Sequence, residues 1–191
     1  IYKSRRARFA QSLGADGIAI IPTASEKRRN RDSDFQYRFD SYFYYLTGFT
    51  EPNALLVITG DGGSTLFCAP KDQEREIWDG YRLGPAMAPN ILGVDAAFSY
   101  EELDQNIPKM LENKSLVSYP FAIHDGLETR VSQWLNKVRA RVRFGVNCPD
   151  IQQDACTMLD NMRLIKDSHE LATMRKAAQI SAAGHIRAMK V

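Results

Sequence analysis

The sequence predicts an α/β protein, a mixed β-sheet flanked by helices, followed by the first helix of a second, truncated domain. Three observations predict it. Short β-branched runs alternate with amphipathic stretches along most of the chain, and glycines and prolines punctuate the junctions. From Asp150 onward the texture changes to helical periodicity alone. The balance of 44% hydrophobic and 25% charged residues over 191 positions is that of a folded globular domain. A core of this size needs no disulfide or metal staple.

Tyr2, Phe9, Ala10 and Leu13 recur at helical spacing and Gly14 follows, so residues 2–13 are expected to form a helix with a glycine at its end. Gly17–Ile21 is a buried strand stopped by Pro22. Thr23–Asp34 is polar and carries Lys27, Arg28, Arg29 and Arg31, which makes it a loop. The dense run Tyr42, Phe43, Tyr44, Tyr45, Leu46 and Phe49 belongs mostly to the core. Ala54–Thr59 and Ser64–Ala69 flank Gly60-Asp61-Gly62-Gly63 and predict a β-hairpin.

Lys71–Trp78 is expected to be helical, and Gly80–Gly93, with three Gly and two Pro, a winding connection. Ser99 and Glu102 have capping-box spacing and open a helix to about Asn113. Leu116–Tyr119 is a strand, Leu127, Val131, Trp134, Leu135 and Val138 mark one face of a helix, and Val142–Val146 is expected to return as a strand. Asp167 and Glu170 form a second capping box. Behind it Leu171, Met174, Ala178, Ser181, His185 and Ala188 make one stripe of a helix expected to reach the chain's last residue, with His185 packed. The domain boundary is placed at 160, giving 1–160 and 161–191.

Composition excludes several classes of function. Lys+Arg 25 against Asp+Glu 23 leaves a net charge of only +2, too balanced for a polyanion-binding surface. Lys27–Arg31 and Arg139–Arg143 are basic clusters, but acidic residues are interleaved throughout the chain and the net charge is small, so no nucleic-acid partner is expected. No run approaches the length of a spanning helix, and Ile1–Arg6 lacks the apolar stretch of a secretory signal. No membrane partner is expected, and the cytoplasm is the default location. Cys68, Cys148 and Cys156 form no C-x-x-C pair and are expected to be reduced and structural.

The search for chemistry returns little. His124, His169 and His185 are far apart in the chain and none stands in a metal-binding spacing such as H-E-x-x-H, so no metal ligand is expected within the chain. There is no G-x-S-x-G elbow, and the Gly60–Ser64 segment lacks the lysine of a P-loop. Asp32, Asp34, Asp40 and Glu51 offer paired carboxylates, whose first reading is loop capping and salt bridging rather than acid/base work. No catalytic residue is expected here.

One segment carries more. Arg29-Asn30-Arg31-Asp32-Ser33-Asp34-Phe35-Gln36-Tyr37-Arg38-Phe39-Asp40-Ser41-Tyr42-Phe43-Tyr44-Tyr45-Leu46-Thr47-Gly48-Phe49-Thr50-Glu51-Pro52 closely resembles the N-terminal domain of the Xaa-Pro aminopeptidases, the aminopeptidase P family of the creatinase and prolidase superfamily. Ile77–Gly84, Leu92-Gly93-Val94-Asp95 and Met162–Asp167 with Glu170, Met174-Arg175 and Ala178 extend the resemblance, in register, over nearly the whole chain.

The resemblance implies a creatinase-type N-terminal domain, similar to the ribonuclease H fold, followed by a "pita-bread" catalytic domain. That second domain would carry a two-metal centre, usually two manganese ions, whose ligands lie outside these residues. The full-length parent would then release the N-terminal residue from peptides with proline in second position, and this chain alone would be inactive. The chain would shape the active-site entrance against its own catalytic domain and build homodimer or homotetramer contacts. Trp78 is similar in position to a family tryptophan that approaches a neighbouring subunit's active site; the other reading is a helix-end anchor. Arg143 is similar to a family arginine that reaches the substrate cleft, against the plainer reading of a surface arginine. Asp40, Ser41 and Glu51 lie in the motif and are assigned structural roles, bracing the loop around the aromatic cluster.

Two other classes compete. A non-catalytic peptide- or protein-binding module on the creatinase-like fold is the first, and the Met162–Val191 segment favours the enzyme over it. A nuclease on a ribonuclease-H-like sheet is the second, and it would need a convergent carboxylate cluster that the sequence does not show.

Overall fold

A computed structural model describes residues 1–190, with Asp79 described through its backbone only. In chain order the elements are α1 (Tyr2–Leu13), β1 (Gly17–Pro22), α2 (Ser41–Thr47), β2 (Leu55–Thr59), β3 (Ser64–Cys68), α3 (Gln73–Asp79), α4 (Ala88–Leu92), β4 (Ala96–Ser99), α5 (Leu103–Leu111), β5 (Leu116–Tyr119), α6 (Leu127–Arg139), β6 (Ile151–Asp154), α7 (Cys156–Leu164) and α8 (Ser168–Ala188). Short 3-10 turns at Tyr100–Glu102 and Val142–Phe144 complete the set. The α/β expectation holds.

The strands form one six-stranded sheet in the order β4-β3-β2-β1-β5-β6. β2 runs antiparallel to both β1 and β3, while β4, β5 and β6 each lie parallel to their inner neighbour. Five strands therefore point one way and β2 alone opposes them. The hairpin register is fixed by the turn after Thr59, where Asp61 accepts from the Gly63 amide at 3.1 Å and Gly62 takes a φ of 96°.

The central strands are buried on both faces, which is why β1 reads as an unbroken apolar run. Ile18 and Ile20 join Leu55, Val57, Phe67, Val117 and Tyr119 under α5 and α6, whose Leu103, Ile107, Leu111, Val131, Trp134 and Val138 close that core. Trp134, fully buried, donates its indole N–H to Asp104 at 2.6 Å, and Arg130 pairs with the same carboxylate at 3.0 Å. α1 and α2 pack on the opposite face through Phe9, Ala10, Leu13, Phe43 and Leu46. The aromatic run is thus core at Phe43, Tyr45 and Phe49, while Tyr42 and Tyr44 are half-buried.

Several expectations are corrected. Val142–Val146 is not a strand: its first residues form a 3-10 turn closed by Gly145 at a φ of 85°, and the sixth strand is Ile151–Asp154. The Gly80–Gly93 connection contains α4, which starts with Pro89 in its first turn and ends on Gly93 in the left-handed region. Ser99 and Glu102 do close a capping box, but it opens a 3-10 turn before α5, which stops at Leu111 rather than Asn113.

The chain divides into two compact units, Ile1–Met158 and the residues from Leu159 onward. The second consists of the end of α7 and α8. Asp167 and Glu170 form the expected capping box, but α8 ends at Ala188, and none of its residues is buried. His185, expected to be packed, is exposed. A unit of one helix and a helix end holds too little chain to cover its own stripe.

Candidate functional site

The strand directions concentrate the candidate residues. The carboxyl ends of β1, β3, β4, β5 and β6 and the start of β2 share one edge of the sheet, and the connections there are long. In open α/β sheets this carboxyl edge, at the point where chain connections diverge, forms the usual ligand crevice. Here the divergence falls between β1 and β5, since β1 leads on to β2 and β5 to β6 on the other side.

Asp40 lies on that edge as the N-cap of α2. Its Oδ1 accepts from the amides of Tyr42 at 2.8 Å and Phe43 at 2.9 Å. Its other oxygen faces His124 Nε2 at 4.0 Å, across from the β5–α6 connection. His124 Nε2 is buried and has no hydrogen-bond partner among the described residues. Thr23, at the end of β1, receives the Asp40 amide at 3.4 Å and shares a 2.8 Å hydrogen bond with the Tyr37 hydroxyl. A cavity of about 110 Å³ opens beside them, lined by Thr23, Ser25, His124, Arg130 and Trp134 among others. Among the described residues the Ser41 hydroxyl receives a long contact from Arg38, at 3.4 Å.

Burial pushes the His124 imidazole below its ordinary value of 6.5, while the carboxylates of Asp40, Glu128 and Asp125 pull it back up. Because the net shift is downward, the folded chain binds this proton less readily than the unfolded chain. The stability contributed is present above the ordinary imidazole value and is lost as pH falls toward the depressed one. Urea midpoints followed from about pH 7.5 to about pH 5.5 should therefore fall for the parent sequence, and His124→Asn should flatten that part of the profile. An unchanged slope in the variant would assign the acid sensitivity to other groups.

Glu51 enters from the segment before β2. Its Oε1 accepts from the Leu83 amide at 2.9 Å, and its Oε2 is buried without a partner among the described residues. Burial raises the carboxyl above its ordinary value, partly offset by the Leu83 hydrogen bond and by Arg82. Cys68 lies close enough that burial, with Glu51 adding to it, pushes its thiol up to about 12. That cysteine is an inert core residue at neutral pH.

Trp78 stands on α3, on the same edge. It is 87% exposed, and Ile77 at 79% and Tyr81 at 62% extend the apolar surface beside it. Among described residues no apolar partner covers this spur. A larger cavity of about 520 Å³ lies nearby, lined by Glu26, Asp34, Asn53, Asp72, Arg75, Arg82, Tyr100 and Glu101. Arg143 is not with them. It sits exposed in the turn between α6 and β6, at the opposite edge of the sheet, next to the exposed Phe144.

Among the described residues no group of three or more His, Cys, Asp or Glu side chains converges as a metal ion requires. Nor is any helix there long and apolar enough to cross a membrane. The basic loop is locally engaged: Arg28 pairs with Asp34 at 3.5 Å, and Asn30 turns the chain by accepting from the Asp32 and Ser33 amides. Sequence reasoning missed His124 as a neighbour of Asp40, since nothing in local periodicity joins positions this far apart. The one signal available was topological, the parallel pairing of β1 with β5.

A six-stranded mixed sheet with five co-directional strands and a loop-built carboxyl edge, flanked by helices, defines an α/β domain of the open-sheet type. The family model of the aminopeptidase P N-terminal domain matches residues 2–118, and the chain belongs to that family. It is 38% identical over 192 residues to the Xaa-Pro aminopeptidase of Haemophilus influenzae, covering 99% of this chain and 42% of the relative. Aminopeptidase P from E. coli superposes with a TM-score of 0.94 at 35% identity, over 98% of this chain and 44% of that one. Pseudomonas aeruginosa aminopeptidase PepP gives 0.92 at 38% identity, over 100% and 45%. The chain thus spans less than half the length of the relatives it matches. One solved form of the E. coli enzyme is zinc-substituted and in complex with product.

Proposed function

We propose that this chain is the N-terminal accessory domain of a Xaa-Pro aminopeptidase, shaping the active-site entrance and the oligomer contacts of its parent. The observation that carries this is the exposed spur of Ile77, Trp78 and Tyr81 on the carboxyl edge, in a chain that belongs to the family. Contiguous exposed apolar surface on a soluble domain marks an interaction site, and a rigid aromatic anchor is the residue type that dominates such contacts. The spur is accordingly assigned to a neighbouring subunit, within a homodimer or homotetramer.

The parent would hydrolyse the N-terminal residue from peptides with proline in second position. The described residues do not fit a two-metal centre. The manganese ions and the chemistry they support are therefore assigned to the part of the relatives that this chain does not span. Among the described residues Cys68, Cys148 and Cys156 form no disulfide, which suits a reducing compartment such as the cytoplasm.

The test is release of the first residue from an X-Pro-peptide by the full-length parent with added manganese, with the present chain as control. Activity is expected in the parent alone, and Trp78→Ala in the parent should raise KM by about tenfold while leaving metal uptake unchanged. Activity in the isolated chain would overturn the accessory reading. A folded parent that neither takes up metal nor cleaves would favour a peptide-binding module instead.

A further inference from the structure

The segment that carries Trp78 is a loop closed by its own contacts. Asp72 caps α3, its carboxylate accepting from the Glu74 and Arg75 amides at 3.0 and 3.2 Å. Past α3 the chain turns at Gly80, with a φ of 79°, and comes back along the helix. Glu76 then accepts from the Arg82 amide at 3.1 Å and meets Lys71 at 3.8 Å, while Lys71 lies over the Tyr81 ring at 4.7 Å. Gly84 closes the circuit, since a Cβ there would lie 3.3 Å from the Lys71 amide nitrogen. All of these contacts lie within Lys71–Gly84. Among the described residues, the one side chain outside the loop that hydrogen-bonds to it is Glu51, through the Leu83 amide at 2.9 Å.

Glu51 is itself held at the second prominent connection of the same edge. Its backbone carbonyl lies 3.5 Å from the Tyr37 hydroxyl, which also reaches Thr23 and Ala24. One residue thereby joins the loop after β1 to the loop after β3. Leu83, the residue it grips, is buried beside it, so an amide deprived of this acceptor regains a partner from water only when the loop opens.

We infer that Glu51 is a positioning residue: its carboxylate, by gripping the Leu83 amide, fixes the Lys71–Gly84 loop on the carboxyl edge and so sets where Trp78 stands. The inference rests on the reading of Trp78 given above for its functional consequence, but not for its structural one. What the grip requires is an acceptor oxygen at the right reach, not a charge. Glutamine supplies it, aspartate is one methylene too short, and alanine lacks it.

Amide hydrogen exchange on the chain and kinetics on the full-length parent test this together. In Glu51→Ala the Leu83 amide should lose protection by about tenfold or more, and tryptic cutting after Arg82 should accelerate correspondingly, whereas Glu51→Gln should hold both near the wild-type values. Amides of β1 and β5 report that the sheet itself is intact. Should Glu51→Ala fail to fold, Glu51→Asp carries the same test. In the parent, Glu51→Ala should raise KM as Trp78→Ala does, with Glu51→Gln restoring it. Unaltered Leu83 exchange in Glu51→Ala, or equal loss in Glu51→Gln, would overturn the inference. If Leu83 exchange responds as expected but Trp78→Ala leaves KM unchanged, the grip stands and the reading of Trp78 as an entrance residue fails.

Discussion

Replacing Arg6 with alanine should cost about 3–5 kcal/mol of folding stability, a large part of the roughly 5–15 kcal/mol available to a domain of this kind. Arg6 is 2% exposed, yet it is charged and sits on α1 facing the interior. Its guanidinium donates to the Leu46 carbonyl at 3.0 Å, to Leu92 at 3.1 Å and to Gly93. Those acceptors are end carbonyls of α2 and α4 and the carbonyl of Gly93, which caps α4, groups of the kind a helix leaves without partners at its end. One planar side chain therefore terminates two helices and ties both to a third. Burial lowers its pKa, and Asp95 opposes that shift, but arginine stays charged throughout the accessible range. Removing the donor leaves the buried Leu46 carbonyl and the part-buried Leu92 and Gly93 carbonyls without this partner at once, which is the expensive direction of hydrogen-bond loss. Arg6→Met fills most of the volume without any donor and should lose nearly as much as alanine. Arg6→Lys, a point charge rather than a fork, should recover part of it. The measurement is urea unfolding followed by Trp134, whose buried indole dominates the emission change because Trp78, the other tryptophan, is already exposed. An Arg6→Met variant within about 1 kcal/mol of wild type would show that water satisfies these carbonyls instead.

How far the sequence disclosed this architecture depended on whether the signal was local. α1, the β2–β3 hairpin and α6 follow from periodicity and from turn residues, and both capping boxes were legible because their hydrogen bonds span three residues. β6 was not, for an edge strand reading Ile-Gln-Gln-Asp is exposed along most of its length and lacks the β-branched run that betrays a buried strand. Val142-Arg143-Phe144 has that look, yet Gly145 with its positive φ closes it into a turn. α2 was hidden behind its own composition, since an aromatic run signals core before it signals helix. At the candidate site, the motif assigned Asp40 and Glu51 to bracing the loop around the aromatic cluster, but not the partners they reach. The partner of Asp40 comes from beyond β5, and the partner of Glu51 is a backbone amide, which no side-chain pattern can announce. Placement of Arg143 at the far edge from Trp78 likewise follows only from the strand directions. If both residues serve a substrate cleft, they must do so from different copies or through a domain outside this chain, because one sheet cannot bring its two edges together.

Gly60→Ala should be the most damaging glycine-to-alanine change, costing about 4 kcal/mol or more. The reason is space rather than dihedral freedom. A Cβ on Gly60 would lie 1.7 Å from the Gly14 carbonyl oxygen and 3.0 Å from that of Ala15, and both obstacles are backbone. No rotamer change relieves such a clash; the turn after α1 and the β2–β3 hairpin would have to separate. That separation would break the 2.8 Å hydrogen bond from the Gly60 amide to Gly17 and strain the 3.1 Å bond from Gly17 to Gly14. It would also disturb the end of the β1–β2 ladder, where Ile18 faces Thr59. Gly62, two residues on, provides the control. It has open space around its Cβ position but a φ of 96°, so Gly62→Ala should cost only the conformational strain of about 1–2 kcal/mol. The two variants share chemistry, hairpin and exposure to the unfolded chain's entropy, and differ in what the methyl group meets. Urea midpoints should thus separate them by about 2 kcal/mol or more, with Gly60→Ala the weaker. Equal losses would mean that the hairpin yields at Gly60 by a backbone shift, and that the junction between α1 and the sheet is softer than its close contacts imply.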